Sequence, residues 1–198
     1  YVKELLKLLP HSCISNLDTH DVIGVVDVEG LLPKEEIKKT SEKIYQNGGN
    51  AAMRASGHNS HNVDVYQINS TYYSALGEND QAYLLARALQ LFLPGIPQIY
   101  YVGLFAGHND EELLEKTKVG RDVNRHFYSI SEIAKESKRK VVQELFQLCR
   151  LRNTHPAFQG DFKLLETDNN KLHIVWTFNV QTIELLIDFK QLEYKIIE

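Results

Sequence analysis

The sequence predicts an α/β fold followed by a small antiparallel β region. Buried apolar segments typical of strands alternate with helical patterns as far as residue 153. Such alternation indicates parallel strands joined by right-handed crossovers. From 157 to 198 the pattern changes to short strands separated by turn residues, as in an antiparallel meander. Two parallel strands do not form a stable sheet by themselves, so we expect further strands to be supplied from elsewhere.

Composition excludes several classes of protein. The chain has 198 residues, of which 43% are apolar and 24% charged, which is typical of a globular protein and not of a disordered one. A complete α/β barrel needs roughly 250 residues, so this chain is too short to form one by itself. The net charge is −4 at pH 7 and the charges are interspersed. We therefore expect neither nucleic acid nor an anionic membrane as a partner.

The cysteines and the chain start predict a cytoplasmic protein and a partial chain. Cys13 and Cys149 lie far apart without a metal-binding spacing, which favours buried thiols in a reducing compartment. We find no apolar run of membrane-spanning length and no signal-like pattern. Tyr1 begins in the middle of a helical pattern, and Met53 is the only methionine. We interpret the chain as truncated.

The first part of the chain alternates between helices and strands. Apolar spacing predicts a helix over 1–9 and a buried strand over 13–17. Pro33 is at a position typical of a helix start, and that helix ends at Gly48-Gly49-Asn50. Residues 48–62 are rich in Gly, Asn, Ser and His and predict a loop, which leads into a strand over 63–68.

The second part begins with a helix that is apolar almost all round, over 79–93, and is expected to be buried. A second buried strand is predicted over 96–102, and a polar stretch with short helical pieces follows, in which His108, Asn109 and Asp110 are predicted to form a turn with a helix cap. Residues 138–152 have the pattern of an amphipathic helix. The predicted meander strands are 162–166, 172–178 (with Trp176 as a core residue), 182–188 and 192–197.

The segment Leu17-Asp18-Thr19-His20-Asp21 places three ionisable groups directly after a buried strand. In α/β barrels, active sites lie at that end of the strands. Two structural alternatives remain open on local chemistry alone. Asp18 or Asp21 caps the following turn, or His20 is a core histidine bonded to a backbone carbonyl.

Four further features of the sequence are the segments LDTHDVIGVVD (17–27), DVYQINSTYY (64–73), PGIPQIYYVG (94–103) and GRDVNRH (120–126). Together these segments resemble one family, the sucrose phosphorylase branch of the α-amylase clan (glycoside hydrolase family 13). The resemblance extends to about Asn153, in the family's order and spacing.

The resemblance implies a fold and a domain organisation. Residues 1–153 resemble the C-terminal part of a (β/α)8 barrel, with strand seven at 13–17, strand eight at 96–102 and an insertion over about 31–68. Residues 157–198 resemble the small antiparallel β domain that follows the barrel. The partner implied is the missing N-terminal half of the barrel, and a homodimer is left open.

The resemblance also implies chemistry. In a retaining double displacement, sucrose and phosphate give α-glucose 1-phosphate and fructose through a covalent glucosyl-enzyme. Asp21 matches the family's transition-state stabiliser. His20 and Arg121 match residues that hold the glucosyl ring. Asp64, Tyr66 and Gln67 match the fructose or phosphate side of the pocket, and Tyr66 favours sucrose over sucrose 6-phosphate. For Arg121 the alternative is a surface ion pair with Asp122 or Glu115.

Two departures limit these expectations. Val22 stands where the branch typically has glycine. No segment matches the family's nucleophile or general acid, so we predict negligible turnover by this chain alone. The alternatives are a non-catalytic remnant or folding partner, and a related phosphorylase for sucrose 6-phosphate, glucosylglycerol or glucosylglycerate. His58, His61 and Asp64 lie on a loop without helical spacing, and we predict no metal and no cofactor.

Overall fold

The structure, a computed structural model, describes residues 13–21, 23–55 and 63–198, and the side chains of 26, 51–55 and 63–66 lie outside this description. The predicted helix over 1–9 and Val22 therefore fall outside the described residues. The described chain divides into two compact units. The first unit contains 13–17, Asp80–Gln98 and Lys138–Glu198, and the second contains the described part of Asp18–Asn79 together with Ile99–Ser137.

The described helices and strands have the following bounds in chain order: β1 (Ile14–Asn16), β2 (Ile23–Gly24), α1 (Lys34–Gln46), β3 (Asn50–Ala55), β4 (Val63–Asn69), α2 (Tyr72–Ala75), α3 (Asp80–Phe92), β5 (Ile96–Gln98), α4 (Tyr101–Leu104), α5 (Glu111–Thr117), α6 (Ile130–Glu136), α7 (Lys140–Thr154), β6 (Asp161–Leu165), β7 (Lys171–Phe178), β8 (Gln181–Asp188) and β9 (Glu193–Ile197). Short 3-10 helices occupy Val26–Val28, Gly120–Asn124 and Pro156–Gln159.

In the first unit, β1 and β5 form a parallel pair in which Ile14 lies opposite Ile96. The buried side chain of Gln90, on α3, joins the two strands. Its Nε2 donates hydrogen bonds to the carbonyl oxygens of Ser15 (3.0 Å) and Gln98 (2.8 Å). The predicted parallel pairing and the buried helix between its strands are thus confirmed.

The expected burial of both strands is wrong, because β1 and β5 contain no buried residue and the first and last residue of each strand are exposed. Ile14 is 65% exposed and Ile96 is 69% exposed. These two side chains begin paired strands, and the sheet to which they belong has only these two strands within the described residues. A sheet of this size leaves its strands without the neighbours that normally cover them.

The C-terminal strands confirm the predicted meander, in the order β6-β7-β8-β9. Alternate residues of β7 and β8 form its core, and Trp176 is among them, 3% exposed. The indole Nε1 of Trp176 donates a hydrogen bond to the carbonyl of Phe92 at 2.8 Å. Arg152, on α7, lies over the ring of Trp176 and donates to the carbonyl of Gly95 at 2.8 Å. These contacts attach the meander to α3 and to the start of β5.

The second unit contains a three-stranded antiparallel sheet in the order β2-β4-β3. Helix α1 packs on this sheet through Ile44, which contacts Ile68 and Ala75. The side chain of Asn109 accepts a hydrogen bond from the Thr71 backbone (2.7 Å) and donates to the Gly48 carbonyl (3.2 Å). One amide therefore holds the loops at the ends of α1 and β4 together.

Two local predictions in these regions are wrong. The region predicted as a loop contains β3, which pairs with β4 and has an irregularity at Ala52/Met53. The asparagine and alanines of β3 are unfavourable for strands, but tertiary pairing overrides such weak propensities. The strand predicted to end at Val102 ends at Gln98, and Tyr101–Leu104 is a helical turn. Short apolar runs do not distinguish a strand from a helix by periodicity.

The described helices also bear on the question of a membrane. None of them is both long enough and apolar enough to cross a bilayer.

Replacing Gln90 with Leu tests the link between β1 and β5. The change removes the donor to the part-buried carbonyls of Ser15 and Gln98 and the acceptor of Nη1 of the buried Arg87, and a buried polar group that loses its partner costs about 1–3 kcal/mol. We expect the free energy of unfolding, measured by urea denaturation followed by circular dichroism, to fall accordingly. The same substitution at the exposed Gln191 is the control, and equal effects of the two substitutions would refute the role of Gln90.

Candidate functional site

The site predicted from the sequence lies in the second unit, where two segments meet. We name Asp18–Asp21 the carboxylate turn and Gly120–Arg125 the arginine segment. Arg121 Nη1 donates to Asp21 Oδ1 at 3.0 Å, and Arg125 Nη2 lies 3.5 Å from the same oxygen. Two guanidinium groups from one segment therefore face one carboxylate.

The arginine segment also binds the backbone of the carboxylate turn. Asn124, which is 2% exposed, donates from Nδ2 to the Thr19 carbonyl at 2.8 Å. Arg125 donates from Nε to the His20 carbonyl at 3.2 Å. Within the turn, the amide of Asp21 donates to the hydroxyl of Thr19 at 3.1 Å. Three consecutive residues of the turn are thus each held by a residue of the arginine segment.

The charged groups remain open to solvent. The side chains of Asp21 and Arg121 are 47% and 45% exposed, and that of His20 is 63% exposed, with its Nε2 3.1 Å from Asp21 Oδ2. Exposed ion pairs contribute only about 0–1 kcal/mol to stability. The alternative partners of Arg121 are engaged elsewhere, because Glu115 pairs with Lys118 and Asp122 pairs with Arg125. The arrangement leaves a carboxylate and a guanidinium group that are each partly open to a polar ligand.

The first residue of the carboxylate turn has a structural role. Asp18 is buried, and its Oδ1 accepts a hydrogen bond from the backbone amide of Tyr100 at 3.4 Å, just before α4. This contact joins Asp18 to a residue far along the chain and is not the cap of the following turn that the sequence left open. Burial, followed by the hydrogen bond with Tyr101, raises the pKa of the Tyr100 hydroxyl well above its usual value.

Two asparagines fix the start of the arginine segment. Asn69 Nδ2 donates to Asn50 Oδ1 at 2.6 Å, and Asn50 Nδ2 donates to the Gly120 carbonyl at 3.3 Å. A Cβ at Gly120 would lie 2.6 Å from Asn69 Nδ2. Only glycine fits against this pair without a shift of its neighbours.

His126 fixes the other end of the segment. Its Nδ1 lies 2.5 Å from Asp110 Oδ2 and its Nε2 lies 3.4 Å from Glu132 Oε1. Its carbonyl accepts a hydrogen bond from the Tyr101 hydroxyl at 2.8 Å. Hydrogen bonds from Ser129 hold the pKa of the Glu132 carboxyl below its usual value. The backbone that carries Arg125 is consequently tied to the starts of α5 and α6.

Asn124, Arg125 and His126 were missed as site residues by the sequence analysis. The available signal was a second arginine, Arg125, in the same short segment as Arg121. Both arginines lie in GRDVNRH, one of the segments that carry the family resemblance. The target of both side chains, 100 residues away at Asp21, is not encoded in that local pattern.

The residues predicted for the acceptor side lie on β4. The backbone of Gln67 pairs with Gly24 of β2. The C-terminal part of β4 therefore lies beside β2, which begins two residues after Asp21. Gln67 is half-buried. The side chains of Asp64 and Tyr66 lie outside the described part of the structure, as do His58 and His61.

A cavity of about 390 Å³ in the second unit is separate from Asp21. Residues 107–112 and members of the 126–136 region line it, His126 and Glu132 among them, and Asp21 is not one of its lining residues. Its walls are rich in carboxylates. In the portion of the chain that the structure describes, no group of three or more potential metal ligands converges.

Comparison with known proteins places this geometry in context. No protein-family model matches the chain. A sucrose phosphorylase from Agrobacterium vitis is 47% identical over 193 residues, which cover 94% of this chain and 40% of that enzyme. A glucosylglycerol phosphorylase from Marinobacter adhaerens is 43% identical over 189 residues, with coverages of 95% and 39%. The crystal structure of sucrose 6F-phosphate phosphorylase from Thermoanaerobacter thermosaccharolyticum matches with a TM-score of 0.93 and 41% identity, over 98% of this chain and 40% of that one.

The chain therefore belongs to the α-amylase clan, glycoside hydrolase family 13, and its fold is the C-terminal part of a (β/α)8 barrel with a small antiparallel β domain. Within that clan it is a member of the sucrose phosphorylase branch. It spans about 40% of the length of these relatives. The family and fold class implied by the four sequence segments are confirmed.

Replacing Gly120 with Ala tests the fixed start of the arginine segment. The added methyl group collides with Asn69, and overpacking of this kind typically costs about 1–3 kcal/mol. We expect the free energy of unfolding to fall by that amount, measured by chemical denaturation. In an Asn69→Ala background the same change should cost clearly less, because the nearer colliding amide is gone and Asn50, whose Oδ1 would lie 2.9 Å from the new Cβ, loses the hydrogen bond from Asn69. Additive effects of the two substitutions would show that the collision is not the cause.

Proposed function

We propose that this chain supplies the transition-state stabiliser and part of the sugar site of a sucrose phosphorylase. The reaction is retaining glucosyl transfer, in which sucrose and phosphate give α-glucose 1-phosphate and fructose. The observation that supports it best is Asp21, a carboxylate bonded to Arg121, backed by Arg125 and still half exposed. Such a carboxylate is oriented by the protein while it remains accessible to a ligand.

Asp21 acts by hydrogen-bonding glucosyl hydroxyls, and these bonds strengthen as the ring becomes oxocarbenium-like. His20, adjacent to it and exposed, binds the same ring. Arg121 donates to a sugar hydroxyl and at the same time orients Asp21, a dual role suited to a planar guanidinium. We assign the fructose or phosphate side of the pocket to Asp64, Tyr66 and Gln67. A tyrosine hydroxyl both donates and accepts, so Tyr66 suits either acceptor.

The bond-making groups come from outside these residues. The carboxylate nucleophile and the carboxylic acid that protonates the leaving fructose belong to the part of the relatives that this chain does not cover. We propose that this N-terminal part of the barrel is the partner of the exposed strands β1 and β5. The exposed Ile14 and Ile96 support such a partner, because apolar residues at the start of paired strands are normally covered.

Sucrose is the substrate that we favour, on the strength of Tyr66. Relatives of similar identity are a glucosylglycerol phosphorylase and a sucrose 6F-phosphate phosphorylase. Overall identity therefore does not choose between these substrates. A cytoplasmic location is part of the same proposal, since Cys13 and Cys149 are both free thiols.

The test is a fusion of this chain to the portion of the Agrobacterium vitis enzyme that it does not cover. We expect phosphate-dependent release of α-glucose 1-phosphate from sucrose, at a higher kcat/KM than from sucrose 6-phosphate or glucosylglycerol. Asp21→Asn keeps the shape of the side chain but removes its charge. We expect it to lower kcat by at least about 100-fold, as for loss of a group that stabilises transition-state charge.

Asp161→Asn is the matched control, because Asp161 is an exposed carboxylate at the start of β6. It should leave kcat unchanged. A fusion that works equally well with Asn at position 21 would contradict the role of Asp21. A folded fusion that releases no glucose 1-phosphate from any of the three sugars would contradict the function.

A further inference from the structure

We propose that Arg125 is a positioning residue for Asp21, which orients the carboxylate without touching the sugar. Arg125 contacts three protein acceptors through three different nitrogens. Nε donates to the His20 carbonyl at 3.2 Å, Nη2 lies 3.5 Å from Asp21 Oδ1, and Nη1 lies 3.5 Å from Asp122 Oδ1. The proposal rests on the function proposed above, because it concerns the same carboxylate.

The two arginines at Asp21 have different surroundings. Every nitrogen of the Arg125 guanidinium has a protein acceptor, and its side chain is 29% exposed. Arg121 reaches Asp21 through Nη1 and is 45% exposed. We therefore assign sugar binding to Arg121 and support of the carboxylate to Arg125.

Arg125 links the backbone of His20 to the side chain of Asp21. A carboxylate on an exposed turn otherwise samples several rotamers, and its turn shifts with it. The guanidinium fork fixes both at once, with Oδ1 of Asp21 facing the arginines and Oδ2 on the side of His20. Misplacement of a catalytic group by about 1 Å costs on the order of 100-fold in rate.

The backbone next to Arg125 is itself fixed. The following residue, His126, lies between the carboxylates of Asp110 and Glu132, and its carbonyl accepts from the Tyr101 hydroxyl. The preceding residue, Asn124, is buried and bonded to the Thr19 carbonyl. Arg125 therefore extends from a rigid base, as a positioning residue requires.

The kinetic test uses the fusion protein described above. We expect Arg125→Ala to lower kcat about 100-fold while KM changes less than about threefold, because Arg125 makes no substrate contact. Arg121→Ala should raise KM as well as lower kcat. Arg125→Lys keeps the charge but replaces three contacting nitrogens by a single ammonium group. We expect its kcat to lie between those of the unmodified fusion and Arg125→Ala. Added guanidinium ion should restore part of the kcat of Arg125→Ala, and Arg150→Ala, at an exposed arginine, is the matched control.

A second measurement does not depend on turnover. Hydrogen exchange of the Asp21 amide, which bonds to Thr19 within the turn, should become at least about tenfold faster in Arg125→Ala and less so in Arg125→Lys. An unchanged kcat, an altered KM alone, or unchanged exchange would each overturn the positioning role. If the unmodified fusion has no activity, the function is refuted, whereas the exchange measurement still decides whether Arg125 holds the turn.

Discussion

The contact between the arginine segment and the carboxylate turn is the constraint on which the candidate site depends. It joins residues about 100 positions apart in the sequence, Arg121 and Asp21, and four further residues brace it. Asn50 and Asn69 hold the start of the arginine segment, and His126 holds its end. Asp18 holds the start of the carboxylate turn by accepting from the Tyr100 backbone. The charged side chains thus meet because two rigid backbones bring them together.

Buried amides, and not the visible ion pairs, supply the energy for this arrangement. Exposed ion pairs contribute about 0–1 kcal/mol, whereas a buried polar group that loses its partner costs about 1–3 kcal/mol. Asn69 and Asn124 are 5% and 2% exposed. Asn69 bonds to Asn50, which holds the start of the arginine segment, and Asn124 bonds to the backbone of the carboxylate turn. The site therefore separates two tasks. Asparagines set the geometry, and half-exposed charges are left available for ligand chemistry.

Much of the fold followed from the sequence because its signals are local. The all-apolar helix α3, the capping Asp110 and the alternating strands of the meander each carry their own pattern. Strand β3 does not, since Asn and Ala are poor strand formers and pairing with β4 makes it a strand. The exposure of Ile14 and Ile96 could not be predicted either, because an apolar run indicates that a strand is buried but does not show whether this chain supplies the residues that cover it.

The site was accessible from the sequence only through family resemblance. Local chemistry left His20 and Asp21 open to structural interpretations, and the role of Arg125 depends on contacts with residues far away in the sequence. The roles of Asp64 and Tyr66, and the division of the chain at 153–157, stay predictions. A family resemblance identifies which residues of the sequence match those of a site. The contacts that orient them, such as those of Arg125 with His20 and Asp21, are visible only in the structure.

The most direct test of the account is a crystal structure of the assembled protein with a glucose-configured iminosugar, a cationic mimic of the oxocarbenium-like ring. The account predicts that ring hydroxyls lie within hydrogen-bond distance of Asp21 and Arg121, while Arg125 keeps its contacts with His20 and Asp21. An iminosugar bound in the carboxylate-lined cavity beside His126, with Asp21 turned away from it, would contradict the account.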